Sequence, residues 1–182
     1  MTHRNGNVET HERQQEVQQE VQQEVQETPT TQFIEGVIND VYCGGQFGKT
    51  TLTFDDSVAE FSRINPETGE EIVGRTFNIN GQIQRNLRKH SFGDLLWSLF
   101  GYICDAGIRT ILSGAKVKVK REFKRMGELR YDGTPYSTDC YTFEIVAISK
   151  VIPTATQQAV LTFAAQDAKD RKEKNDVNLF NV

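Results

Sequence analysis

Between Ala115 and Met126 the chain reads AKVKVKREFKRM, and an alternation this strict can bury its apolar residues only as a β-strand. In a strand successive side chains point to opposite faces, so Val117, Val119 and Phe123 take one side while Lys116, Lys118, Lys120, Glu122 and Lys124 take the other. The valine side needs a core; the lysine side meets solvent or a ligand. A chain of 182 residues has room for one ordinary domain around such a core. Apolar residues make up 37% of it, below the usual share, so part of the length carries no core.

The same period of two recurs upstream. FIEGVINDVYC predicts a long first strand, with Gly36 marking a bulge or a sharp coil, and KTTLTFDD predicts a second strand after the turn Gly44–Gly48. VAEFSRINPETGEEIVGRTFNI holds two short strand-like runs around the turn residues Asn65–Gly69. After AKVKVKREFKRM, Asp132-Gly133-Thr134-Pro135 turns the chain and CYTFEIVAI returns as a strand.

One helix interrupts this pattern. Ser91 is placed to cap it, with Asp94 three residues on, and Gly107 to stop it. Phe92, Leu95, Leu96, Leu99, Phe100 and Ile103 form one apolar face that must lie on a sheet. Trp97 points elsewhere, covering an edge or meeting a partner, and His90 is expected at the basic surface among Arg88 and Lys89. Residues 1–31 contain the repeat QQEVQQEVQQEVQ, whose thin valine stripe predicts a disordered or marginally helical arm. Residues 32–152 then form the domain, and residues 153–182 a partly helical charged tail with a modest face of Ala159, Val160 and Phe163.

Net charge is −4, but it is segregated: residues 1–31 carry −4, residues 32–74 carry −6 and residues 75–131 carry +8. A strongly basic segment inside an acidic protein is the footprint of an anionic partner.

The stretch VYCGGQFGKTTLTFDD invites a nucleotide-phosphate reading, which fails on two counts. Counting back from Gly48-Lys49-Thr50, the first glycine of a Walker A loop is replaced by Cys43, and a strand follows Lys49 where a helix N-terminus should meet the phosphates. No metalloprotease, nucleophile-elbow or dinucleotide fingerprint occurs either. Cys43, Cys104 and Cys140 are odd in number and never paired as C-x-x-C, so neither a zinc site nor any other cofactor is expected. No uncharged apolar run approaches about 18 residues, and the first thirty lack a signal-like apolar core. A non-catalytic, soluble, cytoplasmic protein with no membrane partner is the expectation.

Three strands, a helix and two strands, with a coiled first strand, is the element order of a five-stranded OB barrel; a β-grasp-like α+β arrangement is the alternative. On FIEGVINDVYCGGQFGKTTLTF, GRTFNI, LLWSLFGYICDAGI and LSGAKVKVKREF the layout resembles small phage and plasmid single-stranded DNA-binding proteins of the OB type, from Phe33 to Ile152. The tip DVNLFNV departs from the acidic tail end of the bacterial members. The resemblance implies a groove across the second and third strands, between the loops Gly44–Gly48 and Met126–Thr138. Phe47 and Lys49 would line one side, Arg125, Arg130, Tyr131 and Tyr136 the other, and Arg75 and Phe77 the floor, with Lys118, Lys120 and Lys124 adding cations. Bland readings stand beside these: Phe77 and Phe123 as core, Lys116, Lys118 and Lys120 as guards of an edge strand, and Tyr131 and Tyr136 as packing of the hairpin.

The function expected is sequence-tolerant binding of single-stranded DNA in phage or mobile-element replication or recombination, with RNA also open as the ligand. A homo-oligomer and replication or recombination proteins are open as partners. The rival is a protein-interaction or structural β-barrel module, a phage inhibitor or assembly factor, whose basic hairpin docks on an acidic protein.

Overall fold

A computed structural model describes residues 31–45, 49–65, 68–79, 81–130 and 132–179, with side chains as far as residue 174. The expectations for the arm before Thr31, and those for Phe47 and Tyr131, lie outside the described residues.

Strand β1 (Thr31–Gly45) organises the fold because its two halves pair with different partners. Its N-terminal half runs antiparallel to β6 (Lys116–Lys124) and its C-terminal half antiparallel to β2 (Lys49–Phe54). β2 then pairs with β5 (Thr76–Ile79), and β6 with β7 (Cys140–Ser149), giving one antiparallel sheet in the order β5-β2-β1-β6-β7. A separate hairpin of β3 (Phe61–Ile64) and β4 (Glu71–Gly74) accounts for the two short runs read around Asn65.

Gly36 makes possible a close approach, not a bulge. A Cβ there would stand 2.1 Å from a methyl of Val58 and 3.0 Å from the Phe54 ring. The register slips further on, between Ile38 and Asp40, where β1 leaves β6 for β2.

The helical stretch is segmented where one helix was expected. α1 (Ile83–Leu87) and α2 (Ser91–Phe100) are followed by α3 (Asp105–Leu112). Gly101 ends α2 at φ 75°, its N–H donating to the Trp97 carbonyl, while Gly107, expected as the stop, lies buried inside α3. The cap also differs: His90, expected on the basic surface, is buried at 8% exposure and its Nδ1 accepts the Phe92 N–H. Its Nε2 lies 2.9 Å from the Lys150 carbonyl, so both ring nitrogens are used within the fold. Of the predicted apolar face, Phe92, Leu96 and Ile103 are buried, whereas Leu95 and Leu99 are exposed. Trp97 packs partly on the core under the Arg88 guanidinium, 5.3 Å from the ring centre.

The tail is helix α4 (Thr154–Leu179), packed against α2 and α3. Of the expected face Ala159, Val160 and Phe163, it buries Val160 alone, together with Ala164 and in part Leu161, and leaves Ala159 and Phe163 exposed. Among the described residues no helix is long and apolar enough to cross a membrane.

The core is filled by Ile38, Leu52, Ile79, Leu96, Ile111, Val117, Val119 and Ile145 among others, each contributing about 1.5–3 kcal/mol on burial. Phe77 belongs with them. Expected as groove floor, it is fully buried, because period-two alternation along β5 turns Phe77 and Ile79 inward and Thr76 and Asn78 outward. No base can reach its ring.

The sheet is not closed into a barrel: β5 and β7 remain its two edges. Three devices span the gap between them. The rings of Phe77 and Phe143 meet at 5.2 Å, and Phe61 of the small hairpin lies 6.3 Å and 5.8 Å from those two rings. At one end Asn86 of α1 and Lys89 just after it cap the edge backbone of β7: the Ile145 N–H donates to Asn86 Oδ1, and Lys89 Nζ donates to the Ile145 carbonyl at 2.6 Å. Arg121 ties the small hairpin down, donating to the Ser62 carbonyl at 2.6 Å, to Ser62 Oγ at 2.8 Å and to Gln32 Oε1 at 2.7 Å.

Candidate nucleic-acid interface

Beyond Phe143 the seam between the two edges is uncovered and widens into a groove of about 650 Å³. Backbone alternation sets one wall. Ile145 directs its N–H and C=O away from β6 to Asn86 and Lys89, so Phe143 and Tyr141, two and four residues earlier, direct theirs the same way, into the groove. Arg63 and Ile64 of the small hairpin, Asn78 of β5 and the Gly81-Gln82 turn form the opposite wall.

The mouth is the β6–β7 connection, whose described residues are hydrogen-bonded across it as a hairpin. Gly127 and Tyr136 are bridged by Gly127 N–H to the Tyr136 carbonyl, and Tyr136 N–H bonds the Glu128 carbonyl. Arg130 N–H bonds the Thr134 carbonyl, and Asp132 Oδ1 accepts both the N–H and the hydroxyl of Thr134. Those Thr134 bonds hold the Asp132 carboxyl below its ordinary range. The Arg130 guanidinium lies over the Tyr136 ring, 4.9 Å from its centre.

Of the residues picked from the sequence, Lys120, Lys124, Arg130 and Tyr136 come together in this groove. Lys49, Arg75, Lys118 and Arg125 stand outside it. Arg75 is turned to its own neighbourhood, with Nε on the Val58 carbonyl at 2.6 Å and Nη1 3.7 Å from Glu60. Lys118 pairs with Glu35 at 2.9 Å and lies over the exposed Phe33 ring.

Sequence reasoning missed Arg63, Tyr141 and Glu122 as groove residues. Arg63 was hidden in a run read only as strand. Tyr141 was legible in principle, since Cys140-Tyr141-Thr142-Phe143 alternates, but only the register shows that Tyr141 stands opposite Phe123. Its ring is engaged, with Arg121 over one face at 3.5 Å and Phe123 at 5.2 Å.

Glu122 is placed by the alternation on the lysine side of the strand, with no role of its own. Its two carboxylate oxygens bond Lys120 Nζ and Lys124 Nζ, each at 2.9 Å, which drives the Glu122 carboxyl below the ordinary carboxylate range. The same contact raises Lys124. Four cationic side chains, Arg63, Lys120, Lys124 and Arg130, thus share the groove with the carboxylates of Glu122, Asp132 and Glu144. Burial pushes the Tyr136 hydroxyl and the Cys140 thiol upward, so both stay protonated near neutrality.

Such a site brings cations, carboxylates, two tyrosine rings and the outward-directed edge backbone of β7 into one cleft. Among the described residues no cluster of three or more His, Cys, Asp or Glu side chains is placed to hold a metal. Neither a protein-family model nor a curated protein matches the chain.

Proposed function

We propose that this chain is a non-catalytic, sequence-tolerant single-stranded DNA-binding protein of OB type, acting in phage or mobile-element replication or recombination in the host cytoplasm. The observation that carries the reading is the convergence of Lys120, Lys124, Arg130 and Tyr136 with Arg63 and Tyr141 in one open groove. A single strand asks for cations along its phosphates and flat rings for its bases, without a code of base contacts. The order of elements supports the fold part of the proposal: β1, β2 and β5, then helices, then β6 and β7, with the β3–β4 hairpin as an insert. The uncovered seam between β5 and β7 is where a partly open OB barrel would close.

Titration of labelled oligo-dT at two salt concentrations tests the reading. Binding at low salt should weaken with a log–log slope of about −0.7 per phosphate contacted. No binding at low salt, or binding indifferent to salt, would overturn it. Oligo-U in parallel tells whether RNA serves as well.

A second reading is favoured by the mouth of the groove, where Met126 and Leu129 are 68% and 71% exposed. Apolar tips on a basic hairpin suit an acidic protein partner with a small hydrophobic contact. Loss of partner binding on Met126→Ser with Leu129→Ser, with oligonucleotide binding absent throughout, would establish it.

A further inference from the structure

Two of the four groove cations are already occupied. Glu122 sits between Lys120 and Lys124 on the same face of β6, one carboxylate oxygen on each ammonium at 2.9 Å. All three side chains line the groove, and all three are half-buried, with side-chain exposures of 32%, 28% and 24% in chain order. An anion with two oxygens held between two cations is the arrangement that a phosphodiester presents through its non-bridging oxygens.

We infer that Glu122 is a built-in competitor for phosphate: it fills the Lys120–Lys124 pair in the free protein, and an entering strand must displace it. This rests on the nucleic-acid reading of the groove. The physical argument is one of displacement. A phosphate that meets the lysine pair gains two charge-assisted contacts while the protein gives up two of similar kind, so the local gain is small. Only an anion that also engages Arg63, Arg130 and the aromatic walls gains enough to open the pair. Isolated phosphates and short anions are therefore discriminated against, and long single strands are favoured. Glu122 is thus a specificity-determining residue acting through the two lysines.

Lys124 has a second, longer pair with Glu128 at 3.7 Å, and Glu144 of the groove pairs with Lys89 at 3.0 Å, but among the described residues Glu122 alone bridges two groove cations. Glu35 pairs with Lys118 at 2.9 Å on the same sheet, outside the groove, and so supplies a control of equal charge change. The experiment compares Glu122→Gln, Glu35→Gln and the wild type for oligo-dT affinity across a salt series, with melting temperatures as a check on folding. Glu122→Gln should bind about two- to fivefold tighter, and its salt slope should steepen by about 0.7 for each extra phosphate neutralised. Glu35→Gln should match the wild type in both. Inorganic phosphate, at concentrations that leave the wild type unaffected, should compete with oligo-dT on Glu122→Gln.

Tightening of Glu35→Gln to the same extent would reduce the effect to net charge and overturn the inference. So would wild-type binding with Glu122→Gln no tighter and its slope unchanged. Absence of oligo-dT binding by all three proteins would remove the nucleic-acid reading itself, and the inference with it. Glu122→Ser, which removes the carboxylate with a different shape, must reproduce the steeper slope.

Discussion

Phe77 of β5 and Phe143 of β7 face each other with ring centroids 5.2 Å apart, across two edge strands that share no sheet ladder. Side-chain packing holds the two edges together here in place of backbone hydrogen bonds. Phe77 carries the larger burden, being fully buried and also stacked on Phe54 at 5.1 Å.

Substituting Phe77→Ala should therefore cost about 3–5 kcal/mol, the range for emptying a buried aromatic site. Phe77→Leu and Phe143→Leu, combined in a double-mutant cycle read by urea unfolding, should couple by about 0.5–1.5 kcal/mol. Strict additivity would mean that the seam is held elsewhere.

Asn86 gives a second handle on the same seam. It is 1% exposed, and its Oδ1 is the acceptor for the buried Ile145 N–H. Asn86→Ala leaves that amide without a partner and should destabilise by about 1–3 kcal/mol. Hydrogen exchange at Ile145 should accelerate more than at Val117 or Val119, in the middle of the sheet.

Arg121 fastens the small hairpin through Ser62 and Gln32, and it is 7% exposed. Arg121→Met keeps the apolar stem but loses those bonds. Exchange at Ser62–Ile64 should rise while the β1–β2 ladder is unchanged; equal acceleration in both would show that Arg121 serves the whole sheet.

Tyr102 ties α4 to the loop after α2, its hydroxyl donating to Asp167 Oδ2 at 2.6 Å. Burial first, and the Asp167 bond second, push the tyrosine up to about 12. Since the folded value lies above the unfolded one of about 10, this contribution to stability is complete below pH 10 and is lost as the pH rises toward 12. A tyrosine step near pH 12 should appear in a spectrophotometric titration, and Tyr102→Phe should remove that step and flatten the alkaline limb of stability. For Glu122, whose folded value is lowered, the sign is opposite: its contribution is present above the unfolded carboxylate range and fades as the pH falls through the folded value.

For the groove, Arg130→Ala and Lys120→Ala should each weaken oligo-dT binding, and Lys118→Ala should not, because Lys118 stands outside with Glu35. All three should leave the melting temperature nearly unchanged, since Arg130 is exposed and the Lys118 and Lys120 pairs are solvent-accessible ones of about 0–1 kcal/mol. Equal losses of affinity for Lys118 and Lys120 would mean that the basic strand acts as a diffuse patch.

The strands were readable because alternation writes burial into the sequence: Val117 and Val119 turned inward, and Lys116, Lys118 and Lys120 outward. The helix was misjudged because Gly101 and Gly107 offer the same local signal. Only packing distinguishes the left-handed stop from the buried contact inside α3. Phe77 shows why the site was half legible. An aromatic residue on a strand has the same composition whether it faces a ligand or the core, and the register against β2 decides. Arg63 and Glu122 needed the third dimension, since the groove joins segments nearly sixty residues apart.

The division of β1 between two partners has a consequence for synthesis of the chain. β2 follows β1 at once, but Thr31–Val37 must wait for Lys116–Glu122, some eighty residues later. At about 5–20 residues per second that is roughly 4–16 s during which the Phe33–Val37 edge has no mate on the ribosome. Glu35 puts a charge within that waiting edge, the kind of residue that discourages a stray strand from pairing before β6 emerges.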